Sequence, residues 1–149
     1  MTATNAFGTS TASATTNSVV PATTPDAPTI GTATRGNGEA TITFSAPPSN
    51  GGSAITYYTV TSNTGGFVVY GGTSPIVVTG LTNGQAYTFS VTATNAVGTS
   101  TASGSTNSIT PATTPDAPTI GTATRGNGEA TITFSAPSSN GGSAITSYT

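Results

Sequence analysis

From Ala86 the chain reads AYTFSVTAT, in which Tyr87, Phe89, Val91 and Ala93 alternate with Thr88, Ser90, Thr92 and Thr94. A period of two sends successive side chains to opposite faces, so this stretch predicts a half-buried strand with one apolar side. EATITFS follows the same logic, with Ala40, Ile42 and Phe44 directed inward and Thr41, Thr43 and Ser45 toward water. In ITYYTV, Tyr58 and Val60 share the inner face and Tyr57 is left outside. Shorter runs complete the set: PTIGTAT around Ile30, FVVY from Phe67, PIVVTGL from Pro75 and GTSTASGSTNSI after Gly98. Between them lie GNG, NGG, TGG, YGG, NG and NAVG, which supply the positive φ that tight turns need. Helical periodicity is absent. Seven short strands within about 90 residues predict an all-β, antiparallel sandwich. Its two sheets would face each other across Phe44, Tyr58, Val60, Ile76, Val78, Leu81, Tyr87, Phe89 and Val91.

The pattern is written more than once. TTPDAPTIGTATRGNG begins at Thr23 and returns unchanged at Thr113, an offset of 90 residues, and the same offset lays residues 1–59 on 91–149. Beyond Met1, seven pairs differ, among them Phe7 with Val97, Val19 with Ile109, Pro48 with Ser138 and Tyr57 with Ser147. A period of this length is that of a small domain, longer than the roughly 20 to 50 residues of solenoid repeats. The boundary is expected at PATTPDAP, where two prolines make a semi-rigid extended connector. Residues 24–112 are then one complete module. Residues 1–20 form the last strands of a preceding copy, 21–27 a Pro/Thr linker, and 115–149 the first three strands of the next.

These residues resemble a fibronectin type III domain of the kind found in long bacterial arrays. The resemblance rests on PDAPTI, on ATITFSAP followed by a Gly-rich loop, on ITYYTV, and on GLTNGQAYTFSVTATNAVGTSTAS. It implies an immunoglobulin-like sandwich and places a Leu before a Tyr near the start of the sixth strand, here Leu81 and Tyr87. The ring of that tyrosine fills the edge of the core while its hydroxyl reaches back to upstream backbone. The family usually has Trp in the second strand, where this chain has Phe44, so a slightly looser core is expected. The family's integrin-binding tripeptide RGD is missing. Its usual loop is NAVG here, and RGN at Arg35 lies in a different turn.

Composition narrows the chemistry. Of 149 residues, 33% are hydrophobic and only 4% charged, so threonine, serine, asparagine and glycine must supply the wet surface. The charged side chains are Arg35, Arg125, Asp26, Glu39, Asp116 and Glu129, for a net charge of -2. Nucleic acid is excluded as a partner, because its affinity depends on clustered Lys and Arg. With no Cys there is neither a disulfide framework nor a thiolate metal site. No apolar run approaches the ~20 residues of a membrane-spanning helix, and MTATNAFGTS lacks the features of a signal peptide.

Catalysis finds no residues to carry it. His is absent, Asp26 lies in the linker and Glu39 opens a strand, so the chain offers no general acid/base pair, and no base stands ready to activate its many hydroxyls. GTATRGNG precedes a strand instead of opening a helix and brings no Lys, so it reads as a hairpin turn, not a phosphate loop. A calcium site would need more carboxylates than Asp26 and Glu39. No metal or other cofactor is expected. The Thr arrays keep the outer faces of twisted sheets wet, and the exposed tyrosines Tyr57 and Tyr70 are candidates for stacking on a sugar.

The expected function is a structural spacer and adhesion module of a tandem-repeat protein, extracellular or on the cell surface. Its partners would be neighbouring repeats, and a protein or polysaccharide at a surface. The alternatives are an accessory module of a secreted carbohydrate-active enzyme and a surface-displayed phage virion domain. The sheet edges lack the Lys that commonly blocks edge-to-edge pairing, so Pro28, Pro75 and the glycines are expected to guard them. Residues 115–149, lacking partner strands, are expected to promote association of the chain.

Overall fold

The computed structural model describes residues 1–149 and contains strands but no helix. In chain order the strands are β1 (Thr4–Asn5), β2 (Gly8–Thr9), β3 (Thr29–Arg35), β4 (Glu39–Ser45), β5 (Ile55–Ser62), β6 (Val68–Gly71), β7 (Ile76–Thr79), β8 (Phe89–Asn95), β9 (Thr119–Arg125) and β10 (Ala130–Ser135). Two three-stranded antiparallel sheets, ordered β3-β4-β7 and β6-β5-β8, face each other in the middle of the chain. β1-β2 and β9-β10 form separate two-stranded sheets.

The first hairpin shows how local sequence sets geometry. Gly36 N–H donates to the Glu39 carbonyl at 2.8 Å, and Gly38 takes φ 65°, closing β3 onto β4. Ile30 pairs with Phe44 and Ala33 with Ile42, so β3 advances three residues where β4 advances two. That extra residue is a β-bulge. Thr43 fills the gap, its Oγ1 accepting from Thr32 N–H at 2.8 Å and donating to the Thr32 carbonyl at 3.1 Å. A Cβ on Gly31 would strike Thr43 at both hydroxyl and backbone, which is why glycine stands there.

The core lies between the two sheets. Ala40, Ile42 and Phe44 of β4 and Ile76 and Val78 of β7 face Tyr58 and Val60 of β5 and Phe89, Val91 and Ala93 of β8. Leu81, Tyr87 and Ile109 close one end. Phe44 meets Tyr58 with ring centroids 4.8 Å apart, and Tyr87 lies 6.3 Å from Phe89. The Tyr87 hydroxyl accepts from Thr82 N–H at 3.1 Å, tying the β7–β8 turn to the strand that follows it.

The segment after Gly98 departs from the strand expected there. It makes only isolated bridges, Thr94 with Thr99 and Tyr87 with Ile109. Ser100, Ser103 and Thr106 instead bind β8 at intervals of three. Their N–H groups donate to the carbonyls of Ala93, Val91 and Phe89 at 2.8, 2.9 and 2.9 Å. Their hydroxyls accept the N–H of the same three residues at 3.0, 2.9 and 3.1 Å. A hydroxyl thus replaces the backbone carbonyl that a regular ladder would use. Three residues here match two on β8, a rise of about 2.3 Å per residue against a strand's ~3.4 Å, so the segment coils along the edge. Such a path cannot template another flat strand. Hydroxyls therefore protect this edge, in place of the proline and glycine expected to guard it.

Candidate surface site

The outer face of the β6-β5-β8 sheet carries the two exposed tyrosines. Tyr57 stands on β5 and Tyr70 on β6, whose register partner is Thr59, so the two tyrosines are diagonal cross-strand neighbours. Diagonal positions are within reach of long aromatic side chains. Their ring centroids lie 5.8 Å apart at an interplanar angle of 75°, an edge-on contact. Tyr57 is 38% exposed and Tyr70 67%, and the half-buried Thr59 and Thr92 share their surface. The nearly perpendicular rings do not form a coplanar platform, and Tyr70 is the more exposed of the two. The arrangement suits stacking against a single apolar face, flanked by threonines.

The other candidate residues separate from this pair. Phe44, Tyr58, Val60, Leu81, Tyr87, Phe89 and Val91 are all buried in the sandwich. Asp26 is exposed before β3 and Glu39 begins β4, so the two lie beyond opposite ends of β3. No three His, Cys, Asp or Glu side chains gather in a metal-holding group. No helix is long and apolar enough to cross a membrane.

Two asparagines in the turns do more than close them. At one end of the sandwich, Asn95 Nδ2 donates to the carbonyls of Thr23 and Asn50, both at 2.8 Å, while its Oδ1 accepts from Val97 and Gly98 N–H at 2.9 and 3.1 Å. It joins the incoming linker, the loop after β4 and the NAVG loop. At the opposite end, Asn83 Oδ1 accepts from Gly38 N–H at 2.9 Å and Nδ2 donates to Asn37 Oδ1 at 2.8 Å. The signal available in sequence was an Asn within a turn. Which distant backbone it would bind depends on the sandwich closing.

A second apolar feature is the open side of the β9-β10 hairpin. Ile120, Ile132, Phe134 and Tyr148 line a cleft there, with the Phe134 and Tyr148 rings 4.7 Å apart.

A family model described as "Fibronectin type III domain" matches residues 26–109. Among solved structures, domains A168–A170 of titin are 26% identical with a TM-score of 0.54, the alignment covering 60% of this chain and 32% of titin's. The chain thus spans about a third of that fragment's length. The FN1–FN3 domains of chicken CNTN1 are 21% identical with a TM-score of 0.52, over 64% of this chain and 37% of theirs. A human protein's fourth FNIII domain, solved in solution, is 23% identical with a TM-score of 0.53, over 70% of this chain and 94% of its own. No curated protein matched.

Proposed function

The chain belongs to the fibronectin type III family, whose members are generally non-catalytic structural or interaction modules. From that premise we propose that it is a spacer in a tandem-repeat protein displayed outside the cell or on its surface. In this reading residues 24–112 are one unit, 21–27 a linker, 1–20 the tail of a preceding copy and 115–149 the start of the following one. The observation that carries it is the offset of 90 residues that superposes 1–59 on 91–149. Repeating a closed, charge-poor unit adds reach and a series of identical surfaces, not new chemistry. Each unit sets a length because its sheets must come apart before its ends can separate.

Pulling single molecules by their ends tests the reading. The 89 residues of the unit (112 − 24 + 1) should yield in one step, releasing about 300 Å of chain at roughly 3.4 Å per residue. Smooth extension without a step would sink the spacer role.

A second reading is favoured by the Tyr57–Tyr70 pair, namely a protein or glycan contact on the outer sheet face. Ser147 replaces Tyr57 in the other copy, so the contact would belong to this unit and not to every repeat. A glycan array probed with the chain and with Tyr70→Ala checks it. Signal lost in the variant supports the contact, and uniformly blank spots remove its glycan form.

A further inference from the structure

At the exit from the sandwich three consecutive residues are bonded. Pro111 is fully buried, and its carbonyl accepts from Gly84 N–H at 2.9 Å. Ala112 N–H donates to the Gly36 carbonyl at 3.1 Å, still within the first unit. The very next amide, Thr113 N–H, donates to the Gly141 carbonyl at 2.8 Å in the second, and Asp116 N–H follows to Ser139 at 3.0 Å. Adjacent residues therefore belong to different units. Relative motion is the default for two domains joined by a small polar contact. Here the backbone that would allow it is already bonded on both sides.

A second contact lies beside the first. Gly84, in the turn between β7 and β8, meets Gly142 in the Asn-Gly-Gly loop after β10. Both have positive φ, 84° and 85°. A Cβ on Gly142 would collide with the Gly84 nitrogen and lie 2.8 Å from the Asn83 carbonyl carbon. The Asn83–Gly84 turn is itself held: Asn83 binds Asn37 and Gly38, and Leu81 N–H donates to the Gly38 carbonyl at 2.8 Å. Three chain segments at this end of the sandwich, the 36–38 turn, the 82–85 turn and the exit at 111–112, thus form one braced platform.

We propose that this platform is a docking surface for the Asn-Gly-Gly loop of the following repeat, and that the two contacts together fix the rotation between consecutive units. The proposal rests on reading the chain as tandem units. It gives glycine at 142 a purpose beyond its turn: only a residue without a side chain lets the loop seat against Gly84. The first copy of the loop supplies the comparison. Gly52, at the equivalent position with φ 80°, has Pro21 and Ala22 as its nearest neighbours, with the Pro21 carbonyl oxygen 3.1 Å from where a Cβ would lie, and not an 82–85 turn. A substitution at 52 incurs the same backbone strain as one at 142 but leaves the joint between residues 24–112 and 115–149 untouched.

The chain has no Cys, so spin labels can be placed at Thr34→Cys and Thr124→Cys in the full chain and their separation measured by pulsed electron resonance. The expected result is one narrow distance distribution in the parent, lost in Gly142→Ala and kept in Gly52→Ala. Hydrogen exchange at the Thr122 amide, which donates across the hairpin to Thr133 Oγ1 at 2.9 Å, shows whether the second hairpin is intact. If Gly142→Ala strips that protection, Asn83→Ala replaces it, since it loosens the platform from the other unit and must also broaden the distribution. A broad parent distribution, equal behaviour of the two glycine variants with the hairpin intact, or a narrow distribution in Asn83→Ala overturns the docking surface. None of these touches the pulling experiment, so the spacer reading stands or falls separately.

Discussion

Replacing Ile42 with alanine and, in a separate variant, making the same change at Ile132 asks what the second sheet contributes. The two residues occupy identical sequence, TITF within EATITFS, in the two copies. Ile42 is 0% exposed beneath the opposing sheet, whereas Ile132 is 58% exposed. The substitution deletes three carbon groups, about 2.4 kcal/mol at ~0.8 kcal/mol each. At Ile42 a cavity adds to that, giving about 3 kcal/mol within the observed span of roughly 2 to 5. For a domain of this size each kcal/mol lowers Tm by about 4–8 °C, so Ile42→Ala should lose on the order of 12–24 °C. At Ile132 the vacated space is open to water and no cavity forms, so the cost is below about 1 kcal/mol and is not borne by the main transition. Calorimetry, or circular dichroism followed against temperature, reads both. Equal shifts in the two variants, or an unmoved transition in Ile42→Ala, would refute closure of the two sheets over this position.

Tyr87→Phe removes the hydroxyl that accepts from Thr82 N–H and should cost about 1 kcal/mol in urea unfolding. Thr106→Val keeps the shape but leaves the buried Phe89 N–H without its acceptor, a loss of roughly 1–3 kcal/mol, while Thr101→Val, at an exposed position outside the triplet spacing, should leave the midpoint unchanged. Asn95→Ala releases the incoming linker, so hydrogen exchange at the Thr23 amide should speed up and stability fall by about 2 kcal/mol for two lost donor bonds. Unchanged exchange there would mean that Thr23 is held by its bond to Gly51 alone.

Much of the fold was legible because strand and turn signals are local. Alternation in AYTFSVTAT and EATITFS marked the inward faces of β8 and β4, and glycine-bearing turns marked where the chain reverses. The edge after Gly98 was misread for an equally physical reason. GTSTASGSTNSI has serines and threonines at nearly every position, so a period of three is hidden among residues that also suit a period of two. Only the β8 amides select Ser100, Ser103 and Thr106. The exposed tyrosines could be named from alternation, but their edge-on pairing follows from the β5–β6 register. The asparagine ties at Asn83 and Asn95 bridge residues 45 to 72 apart in the chain, beyond any local pattern.

The repeated hairpin separates these two levels within one molecule. TIGTATRGNGEATITFS pairs the same way in both copies, Ile30 with Phe44 and Ile120 with Phe134, including the bulge. Turn glycines, β-branched residues and the Thr hydroxyl at the bulge are all near neighbours, so the amino acids alone suffice for that geometry. Burial is another matter: Phe44 is 8% exposed and Phe134 50%, although their surroundings in sequence are the same. The difference comes from the opposing sheet: β5 and β8 cover the first hairpin, whereas over the second Tyr148 repeats the contact of Tyr58 and nothing stands where β8 does. An apolar face is written in residues, but removing it from water requires a second surface from elsewhere in the chain.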